Sequence, residues 1–184
     1  MKQRIFLLLL TAVCLITGNV FAQIKKNPAP VAAASETLLA GGTYFIVNGN
    51  VALTPEAASL GQSVFLKPFR RSGLQKWVVT KTGTPKNISY TIKLAGDAED
   101  LWFQPFPGIS DRTPIISYKE GNVSSYKIIP VPGKAELWYI KSLKNNGDAL
   151  RAYMSDATAP LEMRFDPVED GNTKFYWKFE AVKE

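Results

Sequence analysis

The sequence contains no histidine and one cysteine. Without histidine there is no Ser-His-Asp triad, no Cys-His dyad and no imidazole metal ligand. The one cysteine, Cys14, lies in an N-terminal apolar run, so the rest of the chain forms no disulfide of its own. Long apolar stretches are scarce too. Ile5 to Ile16 is apolar apart from Thr11, which is too short and too near the N-terminus for a membrane span. Charge of one sign is thin. The 22 Lys and Arg against 16 Asp and Glu give +6, and they are scattered. The densest basic patch is Lys67 with Arg70 and Arg71. A nucleic-acid surface needs a longer basic stripe, so no nucleic-acid partner is expected. No stretch shows a convincing amphipathic helical pattern.

What is present begins with an export pattern. Lys2 and Arg4 precede the apolar run, and Val20-Phe21-Ala22 offers a small-residue cleavage site. Residues 1–22 therefore read as a signal peptide, with Gln23 as the new N-terminus and a secreted, periplasmic or cell-surface destination. A lipid anchor on Cys14 is the alternative, although bulky Val13 stands where such a signal has a small residue. Removal of the signal leaves 162 residues and lowers the formal charge from +6 to +4. Residues 23–40 hold Pro28, Pro30 and Ala32-Ala33-Ala34 without apolar periodicity, and read as a flexible tether. The expected folded unit is a single monomeric domain over residues 41–184, long enough for a real core.

Within it, aromatic and aliphatic residues sit two apart, which is strand periodicity. Gln75-Lys76-Trp77-Val78-Val79 has weaker copies at Ser124-Ser125-Tyr126-Lys127-Ile128 and Phe175-Tyr176-Trp177-Lys178-Phe179, spaced 49 and 51 residues apart. A second series, Tyr44 with Ile46, Tyr90 with Ile92 and Trp138 with Ile140, has spacings of 46 and 48. Two independent series with one period mark three repeats. Each repeat has room for two more strands. These are Val51-Ala52-Leu53 and Val64-Phe65-Leu66, then Leu101-Trp102-Phe103 and Ile115-Ile116, then Ala149-Leu150 and Leu161-Glu162-Met163. Turn residues separate them, as at Asn48-Gly49-Asn50 and Asn146-Gly147-Asp148. Three repeats of four strands predict an all-β fold with pseudo-three-fold symmetry, the β-trefoil: a six-stranded barrel capped by three hairpins. Tyr44, Trp77, Tyr90, Tyr126, Trp138 and Trp177 are the expected buried barrel residues.

Gln75-x-Trp77 and its copies resemble the Q-x-W motif of ricin-B-type lectin domains, over roughly residues 41–182. The resemblance implies a shallow sugar pocket in each active repeat, built from an Asp near the second strand, an aromatic after the third, and an Asn-Gln pair before the Trp. Here the first repeat keeps Gln75, but Leu74 stands for Asn, Thr54 lies nearest the Asp position and Lys67 replaces the aromatic. Asp97 or Asp100 with Tyr118, and Asp148 with Phe165, are partial substitutes in the later repeats. The chain also resembles fungal β-trefoil peptidase inhibitors of the mycocypin-like and serine-peptidase-inhibitor types. Gly42-Thr43-Tyr44-Phe45-Ile46 matches their opening G-x-Y-x-I, and Trp177-Lys178-Phe179-Glu180-Ala181-Val182 their closing W-x-F-E-x-V. Inhibition in those proteins implies variable surface loops.

Two stretches carry candidate binding chemistry. Asp97, Glu99 and Asp100 precede Trp102, so carboxylates accepting sugar hydroxyls would lie beside an indole able to stack on a sugar face. The same pattern also suits a solvated turn entering a strand. Carboxylates so close in one loop rarely face each other across a substrate, so glycoside hydrolysis is not expected. Lys67-Pro68-Phe69-Arg70-Arg71-Ser72-Gly73 is a basic turn. Arg70 or Arg71 would enter the specificity pocket of a trypsin-like peptidase if the turn protrudes, and an ordinary hairpin if it does not. Tyr118 and Asp148 complete the candidate set. The expectation is a non-enzymatic exported binding module without cofactor, whose partner is a glycan or, alternatively, an extracellular peptidase or other protein.

Overall fold

The alternating aromatics bring the chain together as a closed barrel. The computed structural model describes residues 38–96, 101–105, 114–117, 124–144, 146–153 and 162–183. Among them are twelve strands: β1 (Gly42–Asn48), β2 (Val51–Pro55), β3 (Val64–Pro68), β4 (Lys76–Thr84), β5 (Asn87–Leu94), β6 (Trp102–Pro105), β7 (Pro114–Ser117), β8 (Tyr126–Pro130), β9 (Leu137–Ser142), β10 (Ala149–Tyr153), β11 (Glu162–Asp166) and β12 (Trp177–Ala181). All pairings are antiparallel. Strands β1, β4, β5, β8, β9 and β12 pair in that order, and β12 returns to β1. Hairpins β2/β3, β6/β7 and β10/β11 extend from β1, β5 and β9. β3 touches both β7 and β11, so the hairpins meet as a cap. This is the β-trefoil, and each of the six segments expected between the barrel strands contains a strand, although Leu101 precedes β6 and Leu161 lies outside the described residues.

The register explains the period. Tyr44 lies opposite Trp77, Tyr90 opposite Tyr126, and Trp138 opposite Trp177, one pair per repeat. The second member of each pair donates to a carbonyl on the first strand of its own hairpin. Trp77 Nε1 reaches Leu53 O at 3.1 Å, Tyr126 Oη reaches Phe103 O at 2.9 Å, and Trp177 Nε1 reaches Leu150 O at 2.8 Å. Tyrosine can stand for tryptophan in the second repeat because its hydroxyl reaches the equivalent acceptor. Phe103 meets Trp77 and Tyr126 at centroid distances of 5.8 and 5.7 Å, and Tyr126 stacks on Phe165 at 6.1 Å. These contacts join the three repeats into one core.

Five of the six barrel aromatics are buried. Trp138 is the exception: it is half-buried, edge-on to Phe179 at 6.5 Å, and borders a concavity on the barrel wall. Within residues 38–40, read from the sequence as the end of the tether, Leu39 is anchored in the domain while Leu38 and Ala40 are exposed. Leu39 is buried in the main core, and its carbonyl accepts the Tyr90 hydroxyl at 3.0 Å. The Ala40 carbonyl accepts the Tyr44 hydroxyl at 2.9 Å.

Candidate functional site

The hydrogen-bonded aromatics put the three repeats in register, so equivalent positions can be compared. The residue after each accepting carbonyl is Thr54, Gln104 or Arg151. Thr54 is buried and committed internally: its hydroxyl donates to Ala52 O at 2.9 Å and accepts from Gln75 Nε2 at 3.0 Å. Gln75 is also buried. Its Nε2 donates to Pro68 O at 2.9 Å, and its Oε1 accepts from Arg70 N at 2.9 Å and Ser72 N at 3.4 Å. Both ends of the amide are satisfied inside the protein. Gln75 is therefore a brace for the 68–72 loop and not a sugar contact.

The third repeat departs from this pattern. Phe175 stands two residues before Trp177, as Gln75 stands before Trp77. It is buried in a small apolar cluster with Val131, Tyr139, Ala149 and Tyr176. Arg151 Nη2 pairs with Asp166 Oδ2 at 2.7 Å, while Nη1 lies 3.7 Å from Glu169 Oε1. The side chains of Arg151 and Asp166 are 20% and 11% exposed, so water screens this pair weakly. Arg164 lies directly opposite Arg151 across β10/β11, and its Cζ sits 4.0 Å from the Tyr153 ring centroid. Arg151 Cζ is 5.4 Å from the same ring. Like charges facing each other across strands normally repel. Here the Asp166 carboxylate and the Tyr153 ring lie between or beside them and offset the repulsion.

The sequence-derived candidates fare unevenly. Asp97, Asp100 and Tyr118 lie outside the described residues. Trp102 is half-buried on β6, with Lys93 Nζ 5.9 Å from its ring centroid. Its Nε1 is shielded from solvent and has no hydrogen-bond partner among the described residues. Asp148 is half-buried and immediately precedes Ala149, which lies opposite Asp166. It thus borders the third-repeat cluster. Phe165 is core and cannot serve as a sugar plate. Arg70 is exposed. Arg71 is exposed as well, with its guanidinium 5.6 Å from the Phe69 ring centroid and ion-paired with Glu180.

The sequence reading missed Arg151, Tyr153, Arg164 and Asp166. Their signal was two polar or amphipathic alternations, Arg-x-Tyr and Arg-x-Asp, on adjacent strands of one hairpin. Among the described residues, no group of three or more Cys, Asp, Glu or His is placed to hold a metal ion. No helix among them is long and apolar enough to cross a membrane.

No family model matches the chain, and no curated protein matches it in sequence. Solved structures do resemble it. The ricin B-like lectin of Macrolepiota procera, determined with lactose, aligns at TM-score 0.59 and 17% identity over 79% of this chain and 100% of its own. The Rhizoctonia solani agglutinin aligns at TM-score 0.60 and 16% identity over 79% of this chain and 99% of its own. The designed three-fold symmetric protein ThreeFoil aligns at TM-score 0.60 and 17% identity, covering 77% and 99%. The chain has the β-trefoil fold that these structures share. At these identities the likeness defines the fold and no more.

Proposed function

We propose that this protein is an exported, non-catalytic carbohydrate-binding module. The observation that carries the reading is the outer face of hairpin β10/β11. It joins an almost enclosed carboxylate, Asp166, pinned by Arg151, to the half-buried ring of Tyr153. Sugars need fixed acceptors for paired hydroxyls and an aromatic surface for their apolar face, and this hairpin supplies both. Structural likeness to lectins supports the class, although fold alone does not assign a ligand. In the second repeat the proposed contacts are Asp97, Asp100 and Trp102, with Tyr118. Titration calorimetry against a neutral-sugar panel tests the reading. Tyr153→Ala and Asp166→Asn are expected to lower affinity at least ~10-fold while Tyr153→Ala keeps the parent melting temperature. Asp97→Ala and Trp102→Ala test the second repeat in the same way. If no sugar binds, or if all four variants bind like the parent, the reading is wrong. Export is tested by mass spectrometry of the released chain, which is expected to begin at Gln23. A diacylglyceryl group on Cys14 would mean an anchored lipoprotein instead.

One observation favours the inhibitor reading as a second. Gln75 holds the backbone of the loop carrying exposed Arg70, so that loop is pre-ordered, as peptidase-inhibiting loops are. Residual trypsin activity with the parent and with Arg70→Ala tests it. Arg71→Ala is measured beside it, because Arg71 is exposed in the same loop although ion-paired with Glu180.

A further inference from the structure

We propose that the concavity along β12 is a separate binding site for an anionic saccharide, one carrying carboxylate or sulfate groups. Its volume is about 650 Å³, within the range of ~300–1,000 Å³ common for small-molecule clefts. Trp138 and Phe179 form its aromatic part, meeting edge-to-face at 89°. This is where the pseudo-three-fold pattern breaks, since Trp138 is the one barrel aromatic left half-exposed.

The rims are charged. On one side Arg71 pairs with Glu180 of β12; on the other Glu136 lies 3.5 Å from Lys178 of β12. Those four charges cancel in pairs. Lys76 and Lys183 also line the concavity and have no acidic partner among the described residues, leaving a local excess of two positive charges. Arg71 and Glu136 have φ of 54° and 60°, two of the three non-glycine residues at positive φ among the described residues. Strained backbone of this kind persists where its surroundings hold it, and it concentrates at ligand-binding positions. Here it occurs on both rims and on charged residues, where glycine would fit without strain.

An aromatic plate beside two ammonium groups that have no acidic partner among the described residues suits a sugar ring bearing an anion. β12 pairs with β1 over Lys178–Ala181 but with β9 only at Trp177 and Lys178, so an acidic peptide is the competing occupant, and oligoglutamate tests it directly. The site shares no residue with the β10/β11 face, so it stands or falls apart from the neutral-sugar reading.

The test is calorimetry on the purified full chain with four probes: a sulfated heparin oligosaccharide, an oligogalacturonate, a neutral maltooligosaccharide and an oligoglutamate. At least one of the two anionic saccharides is expected to bind more tightly than the neutral one, and to weaken as salt is raised. Which of the two binds distinguishes sulfate from carboxylate. Lys76→Gln with Lys183→Gln is expected to lower that affinity at least ~10-fold at unchanged melting temperature. Tyr153→Ala is expected to leave it unchanged. The proposal is overturned if neither anionic saccharide binds, if the double lysine variant binds like the parent, or if Tyr153→Ala removes the binding. Equal, lysine-dependent binding of oligoglutamate would overturn it in favour of an acidic-peptide site.

Discussion

Gln75 shows how one residue sets a local structure. It sits in the 3-10 turn Gly73–Gln75 that leads into β4, and its amide ties together β2, the end of β3 and the 70–72 backbone. Gln75→Ala leaves the Thr54 hydroxyl without its amide partner in a buried position and releases the loop. The expected loss is about 2–3 kcal/mol, as for buried groups left unpaired. A urea denaturation midpoint checks it, and a shift worth well under 1 kcal/mol would show that the loop is held by something else. Trp77 and Trp177 illustrate the companion rule. Each fills the core with its ring and uses its one donor on a hairpin carbonyl, so little polar potential is left over.

Among the elements, hairpin β4/β5 is the most demanding. Its pairing runs from Trp77 opposite Leu94 to Thr84 opposite Asn87, leaving only Pro85 and Lys86 to turn. Gly83 in this ladder has φ +88°, and a Cβ there would collide with the Asn87 carbonyl oxygen. Gly83→Ala therefore adds both backbone strain and a clash with main chain, which cannot rotate away. The expected cost is more than about 1 kcal/mol, against the small gain that Gly→Ala gives at an unstrained site. Equilibrium unfolding measures it, and an unchanged midpoint would mean that the hairpin relaxes freely. Hairpin β10/β11 makes the opposite use of its register, placing Arg151 and Arg164 face to face and relying on Asp166 and Tyr153 to hold them.

For the whole molecule, barrel closure leaves β1, β4, β5, β8, β9 and β12 with partners on both sides, which removes exposed edges. The fused aromatic core also makes stability depend on alkaline pH. Burial pushes the Tyr126 hydroxyl well above its ordinary value of 10.0, and Tyr90 and Tyr139 are raised for the same first cause. The folded state favours the neutral phenol, whereas the unfolded chain ionises near 10. The stability from Tyr126 is therefore complete below pH 10 and is lost as pH rises toward the folded value. Each pH unit above 10 costs about 1.4 kcal/mol for such a group. Tyr126→Phe is expected to melt lower at neutral pH, because the bond to Phe103 O is gone, and to fall less steeply above pH 10. Thermal melts across pH 8 to 12 compare them, and equal slopes would contradict this account.

The sequence alone determined the trefoil. Inward and outward residues alternate within each strand, so the buried aromatics and their repeat can be counted without knowing any contact. Turn chemistry is local as well, and Asn-Gly and Gly-Asn positions fall where the chain reverses. Burial of Trp138 could not be read this way. Its periodicity is the same as that of Tyr44 and Tyr90, and only the loops around β12 leave it partly open. The binding faces were decided by tertiary structure for the same reason. Arg151 and Asp166 are 15 residues apart and meet through strand register. The β12 concavity collects Arg71, Lys76, Glu136, Trp138 and Lys183 from segments that only barrel closure brings together. Arg71 looked free in sequence because Glu180, its partner, lies 109 residues away. Charge in a loop is visible in a sequence, but whether it is neutralised depends on what the fold lays beside it.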